Sequence, residues 1–215
     1  MLDTSLKNLA KEIFPRLKNA YPAAKCSLQF QSPHELLVST ILSAQCTDKR
    51  VNQIAPGLFK KYPSAKAFAS ADIEELKNDI LSTGFYNHKA RAIQGSMKTI
   101  MEKYNGEVPE SLEELVKLDG VGRKTANVVL GDAFGIPGVV VDTHVKRLSN
   151  RMGLTKNTDP LKIEQDLMKL LPPEQWTLLG HLMIEHGRAV CTARSPKCSE
   201  CFLTDICPSA KTHER

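Results

Sequence analysis

The chain has 215 residues, 41% hydrophobic and 25% charged, with a formal net charge of +5 at pH 7. That is enough for one or two domains with real cores, and the mild positive charge suits an anionic partner without demanding one. There is no apolar run long enough for a membrane helix and no basic-then-apolar leader. A cytoplasmic chain with reduced cysteines and no membrane association is therefore expected.

Residues 1 to 22 carry Leu6, Leu9, Ile13 and Leu17 at helical spacing, with Pro15 expected to bend or interrupt the helix. Ser32-Pro33-His34-Glu35 is a strong helix start, combining a capping serine, a proline at the first helical position and a glutamate at the third. Leu36, Leu37, Thr40, Ile41 and Ala44 carry that helix inward to Ser43-Ala44-Gln45-Cys46-Thr47-Asp48. Gln45 there reads by itself as a helix terminus facing water, and Asp48 as a cap or buttress of the next helix. That helix, Thr47 to Lys61, should break or kink at Pro56. Asp72-Ile73-Glu74-Glu75 opens another, with Leu76, Ile80 and Leu81 on one face and Gly84 closing it. Phe85-Tyr86-Asn87-His88-Lys89 follows, with Asn87 expected to cap a helix bearing Ala90, Ile93, Met97, Ile100 and Met101. The basic residues of that helix read as a solvated face, and Asn105-Gly106 ends it.

Ser111-Leu112-Glu113-Glu114 has capping-box spacing and predicts a short helix to about Leu118. Gly120 and Gly122 then permit positive φ and close backbone approach, and Ala126, Val129, Leu130 and Ala133 mark a second helix from near Arg123. Helix, glycine turn and helix make either a tightly packed αα-hairpin or a helix-hairpin-helix, which offers N–H groups, Arg123 and Lys124 to a phosphate backbone. Beside other cationic groups, Lys124 can serve as a nucleophilic amine. Asp142 ends the apolar run Val139-Val140-Val141, a buried connection, and precedes Thr143-His144-Val145, so it reads as an N-cap. Helices at 143 to 153 and 160 to 171 follow, the second capped by Asp159 and stopped by Pro172-Pro173. A last one carries Trp176, Leu179, Leu182, Met183, His186 and Ala189 in register; His186 reads as a packed helix residue and His144 as supporting the site.

Cys191, Cys198, Cys201 and Cys207 crowd the loop-rich tail, a pattern of thiolate metal ligands rather than disulfides. Spacing alone leaves zinc and a 4Fe-4S cluster both open. Cys26 and Cys46 read as free thiols.

Gly120-Val121-Gly122-Arg123-Lys124-Thr125-Ala126-Asn127-Val128-Val129 with Val141-Asp142-Thr143-His144-Val145 resembles the endonuclease III family of the helix-hairpin-helix DNA glycosylase superfamily. The resemblance spans nearly the whole chain. Ser43 to Asp48 resembles the family's Ser-Ala-Gln-x-Thr-Asp, whose glutamine fills the gap left by a flipped-out nucleotide. Gly84 to Lys89 resembles its Gly-Leu-Tyr-Asn-x-Lys, with Phe85 replacing the leucine that is a second wedge. The cysteine spacing resembles its cluster loop, which implies one 4Fe-4S cluster, structural or redox-sensing, and aims Arg194 and Lys197 at phosphates. Asp119 stands where the family often has proline, which should loosen the turn and weaken DNA binding modestly.

The resemblance implies an all-α, two-domain fold: 26–136 a six-helix barrel domain with the hairpin, and 1–25 plus 137–215 a cluster domain. It further implies a monomeric base-excision repair enzyme that removes oxidised or ring-saturated pyrimidines from double-stranded DNA and cleaves abasic sites, with Lys124 and Asp142 catalytic. Gln45, Phe85, Gly120, Gly122, Arg123, Arg194 and Lys197 would contact DNA. Two other readings share the hairpin. A monofunctional mismatch glycosylase lacks a lysine corresponding to Lys124, and in a non-enzymatic DNA-binding module Lys124 would only touch phosphate and Asp142 only cap.

Overall fold

A computed structural model describes residues 4–210 as α-helices joined by turns, with no strand among them. The helices are α1 (Thr4–Ala20), α2 (Pro33–Ser43), α3 (Asp48–Lys61), α4 (Ala65–Ala69), α5 (Ile73–Ile80), α6 (Tyr86–Lys103), α7 (Leu112–Leu115), α8 (Arg123–Ala133), α9 (Thr143–Arg151), α10 (Pro160–Leu170) and α11 (Trp176–Ala189). The chain divides into two compact units. One is Cys26–Ile136, the hairpin unit; the other joins the segment before Cys26 to the chain from Pro137 onward.

In the hairpin unit α6 is central, with α4, α5 and α2 packed on it and α8 packed on α2. Phe68, Leu76, Ile80, Ile93, Met97 and Ile100 are fully enclosed, each contributing about 1.5–3 kcal/mol by leaving water. The Tyr62 and Phe68 rings lie 5.0 Å apart, which packs α4 against the end of α3. Ser64 caps α4 by accepting from the Ala67 N–H, a start the sequence reading passed over because the helix is too short to show a period.

The other unit buries Ile13 and Leu17 of α1 with Val145 and Leu148 of α9, Ile163 and Leu167 of α10, and Leu179, Leu182 and Met183 of α11. Trp176 donates Nε1–H to the Leu171 carbonyl at 2.8 Å, fixing the turn between α10 and α11. Ala189, expected on the packed face of α11, is exposed.

Several local expectations are decided by tertiary contacts, and neither proline interrupts its helix. α1 runs through Pro15 and α3 through Pro56. Proline removes one helical N–H, yet Ala10, Ile13, Phe14 and Leu17 on α1, and Val51, Ala55 and Leu58 on α3, are buried on both sides of it. Thr47, not Asp48, caps α3 by accepting from the Arg50 N–H, while Asp48 accepts from Ser27 Oγ at 2.5 Å as a buttress. Asn87 is a residue inside α6, whose preceding position is Phe85 and carries no capping side chain. Leu81 does not join the face of Leu76 and Ile80; it is 52% exposed.

Candidate nucleic-acid interface, reactive residues and cluster loop

Three non-glycine residues of the hairpin unit, Gln45, Phe85 and Asn105, are exposed on left-handed backbone. Gln45, just past the end of α2, has φ 53° and is exposed. Phe85, immediately before α6, has φ 49° and is 64% exposed. Side chains with a Cβ seldom adopt this region, and such residues persist only where their surroundings hold them. Leu81, in the 3-10 turn Leu81–Thr83, is a further exposed apolar side chain on the Phe85 loop. Its helical register gave no sign of that exposure.

Lys89, read as part of a solvated face, is only 5% exposed. Its ammonium donates to the Leu42 carbonyl at 2.7 Å and the Thr83 carbonyl at 2.8 Å. Burial pulls its pKa below the usual lysine value, with the nearby Cys46 thiol opposing the shift.

The hairpin is α7, a turn and α8. Ser111 caps α7 by accepting from the Glu114 N–H, but α7 stops at Leu115, short of the expected Leu118. Glu114 does not close a capping box: it takes the Tyr104 hydroxyl and Lys117 Nζ instead. Gly120 has φ 72°, and a Cβ there would lie 2.6 Å from the Ala92 Cβ, so glycine is required twice over. Gly122 differs from expectation. It is extended, φ −88° and ψ 172°, with open space around it, and precedes α8 without offering a side-chain cap. Its value is bareness, since no side chain covers the first-turn N–H groups of α8, the end of a helix that attracts anions. Arg123 and Lys124, the first two residues of α8, are exposed beside it. The Asp119 carboxylate lies close against Gly95 of α6, so its charge is turned back toward the unit's own helix.

Lys124 belongs to the hairpin unit and Asp142 to the other. Asp142 is half-buried and caps α9, its Oδ1 accepting from the Val145 N–H at 2.8 Å. His144 Nδ1 lies 3.2 Å from Arg147 Nη2.

Cys191, Cys198, Cys201 and Cys207 line one hollow of about 350 Å³, counting its part open to solvent. Among the described residues no three His, Cys, Asp or Glu side chains converge closely enough to hold a single metal ion. A zinc site would gather the four sulfurs about 2.3 Å from one point. Thiolates spread around a hollow instead fit the four corners of an iron–sulfur cluster. Donors already point at the sulfurs: Arg151 Nη1 to Cys191 Sγ at 3.4 Å, and the Leu203 N–H to Cys201 Sγ at 3.4 Å. Buried His186 lies with Nδ1 3.0 Å from the Tyr21 hydroxyl and Nε2 3.6 Å from Cys201 Sγ. Burial pushes its pKa down to about 4.

Sequence reasoning missed the supports of this loop. Arg147 binds the Cys191 carbonyl at 3.0 Å, and Arg151 binds the Thr192 and Ala193 carbonyls at 2.7 and 2.8 Å. Their i, i+4 spacing on the helix after Asp142 was visible, but not the loop more than 40 positions later that they hold. Arg194 and Lys197 are exposed on the loop.

Residues 38–173 match the model for HhH-GPD superfamily base excision DNA repair proteins, and residues 191–207 match the iron-sulfur binding domain of endonuclease III. Endonuclease III of Synechocystis sp. is 58% identical over 208 residues, covering 96% of this chain and 95% of that protein. The chain belongs to the endonuclease III family. It is a base-excision repair enzyme, a bifunctional DNA glycosylase and AP lyase, and carries one 4Fe-4S cluster. Two solved structures, a non-covalent endonuclease III–DNA complex and a trapped endonuclease III–DNA covalent intermediate, each superpose with a TM-score of 0.92 at 44% identity, over 100% of both chains. In this chain the superfamily match takes in Gln45, Phe85, the hairpin, Lys124 and Asp142, and the cluster-domain match begins at Cys191 and ends at Cys207.

Proposed function

We propose that this enzyme acts as a monomer on double-stranded DNA, removing oxidised or ring-saturated pyrimidines and then cutting the resulting abasic site, with Lys124 as nucleophile and Asp142 as its carboxylate partner. The observation that carries the assignment is the placement of Lys124: exposed, second in α8, two residues after Gly122, which leaves the helix end without a side-chain cap. Such an end binds phosphate through backbone N–H groups, so Gly120, Gly122 and Arg123 hold the DNA backbone while Lys124 reaches the sugar.

The Lys124 amine attacks the anomeric carbon, the bond from that carbon to the base breaks, and the base leaves with a proton. Asp142 offsets the positive charge developing on the sugar and takes a proton from the attacking amine; its Oδ1 is held by the Val145 N–H, which leaves Oδ2 for that task. The sugar ring opens to an imine on Lys124, a proton leaves the adjacent carbon, and the bond to the 3′ phosphate oxygen breaks. Water releases the lysine. Gln45 and Phe85 fill the gap left by the extruded nucleotide, which offsets a few kcal/mol of lost stacking. Cys191, Cys198, Cys201 and Cys207 ligate the cluster, which shapes the loop that presents Arg194 and Lys197 to phosphates. The amine route needs no hydrolytic metal, so the cluster takes no part in these steps. Among the described residues no helix is long and apolar enough to cross a membrane, and the cytoplasm is where the enzyme meets its DNA.

Borohydride trapping on duplexes bearing thymine glycol or an abasic site tests the assignment. Wild type should give a covalent adduct that Lys124→Gln abolishes while DNA binding persists. An adduct retained in Lys124→Gln would remove Lys124 from the chemistry. Binding by wild type with neither adduct nor cleavage would overturn the lyase reading and favour a binding module.

A further inference from the structure

We infer that Lys89 is a positioning residue for duplex opening: its buried ammonium ties the end of α2 to the turn before α6, so that Gln45 and Phe85 are presented as one rigid pair. The inference rests on the reading of those two side chains as wedges.

A buried charge is costly unless it is partnered. The partners that Lys89 has are two backbone carbonyls, Leu42 O at 2.7 Å and Thr83 O at 2.8 Å. Both are helix-end groups. Leu42 lies in the last turn of α2, where the N–H groups of Ala44 and Cys46 turn to Ile41 and Ser43 instead. Thr83 is the last residue of the 3-10 turn. Terminal carbonyls carry the negative end of the helix dipole, so one cation placed between two such ends satisfies both.

A wedge sits just beyond each of these ends. Gln45 lies three residues past Leu42 and Phe85 two past Thr83, both exposed and both left-handed. The Phe85 carbonyl also accepts the Lys89 backbone N–H at 3.1 Å, so Lys89 grips the second loop from main chain and side chain at once. Stacked base pairs resist insertion of a side chain, and a loop that yields when pressed cannot part them. Binding one loop to the other through a rigid buried bridge lets each brace the other.

The test compares trapping rates on an abasic site in a fully paired duplex with the same site inside a short mismatched bubble, where the stack is already broken. Lys89→Met keeps the length of the side chain and removes charge and donors; it should slow the paired duplex about tenfold more than the bubble. Lys89→Gln, with donors but a shorter reach, should show the same selectivity to a lesser degree, and it stands in should Lys89→Met fail to fold. The double variant Gln45→Ala/Phe85→Ala calibrates the measurement. If the double variant slows the duplex selectively while the Lys89 variants slow both substrates equally or neither, Lys89 is a structural residue and the inference is wrong. If the double variant shows no selectivity, the wedge reading itself fails, and the inference falls with it.

Discussion

Asp142 caps α9, and substitution can separate that role from the catalytic one proposed for it. As the N-cap of α9 it accepts the Val145 N–H at 2.8 Å, and losing such a cap to alanine costs about 1 kcal/mol. Its charge at the helix N-terminus adds roughly 0.3–1 kcal/mol. Asparagine keeps an acceptor of the same reach and loses only the charge, so Asp142→Asn should cost about 0.5 kcal/mol and Asp142→Ala about 1.5 kcal/mol. In a chain of this size each kcal/mol moves Tm by about 2–4 °C, which places the variants roughly 1–2 °C and 3–6 °C below wild type. Catalysis should rank them differently. Neither variant has a carboxylate, so both should lose about 10²–10⁴-fold in the rate of adduct trapping on a duplex abasic site. Thermal melts and single-turnover trapping on the same preparations provide both numbers. Asp142→Asn with a wild-type trapping rate would reduce Asp142 to a cap. A loss of activity that tracked the loss of Tm would mean the effect is structural.

Gly120→Ala places a Cβ 2.6 Å from the Ala92 Cβ on a backbone of φ 72°; left-handed strain and overpacking together should cost about 2–4 kcal/mol. Gly122→Ala meets open space and should stay within about 1 kcal/mol of wild type in urea unfolding, so equal losses in the two would contradict the turn geometry. The Cys26 thiol is pushed up to about 12, by burial first and then by Asp132. Native protein at pH 8 should therefore alkylate at Cys26 far more slowly than urea-unfolded protein, whose thiol ionises near its free value of about 8.5. The buried thiol's contribution to stability is whole below the unfolded value and declines as pH rises from there toward 12. Equal labelling rates in the two states, read by mass spectrometry, would refute both statements. Arg151→Met removes the N–H···S contact to Cys191 and the bonds to the Thr192 and Ala193 carbonyls. The cluster's visible absorption should then fade several-fold faster under chelator and oxidant, and an unchanged rate would leave the loop held by other contacts.

By itself the sequence determined what depends on near neighbours in the chain. Ser32, Asp72, Ser111 and Asp159 cap the helices expected of them, because a cap is settled within three residues by side-chain chemistry. The four clustered cysteines, the glycine-flanked turn before Lys124 and the family itself were legible for the same reason: each is a short pattern of residue types. Tertiary structure decided the remainder. Pro15 and Pro56 sit inside continuous helices because buried faces on either side outweigh one missing hydrogen bond. Glu114 leaves its capping box for Tyr104 and Lys117, and Lys89 leaves the solvated face for two carbonyls, one of them 47 positions away. Arg147 and Arg151 reach a loop that no local pattern connects to them. Periodicity tells which way a side chain points along its own helix; what it meets there depends on which distant segment the folded chain brings opposite, and that is set by the packing of the whole unit.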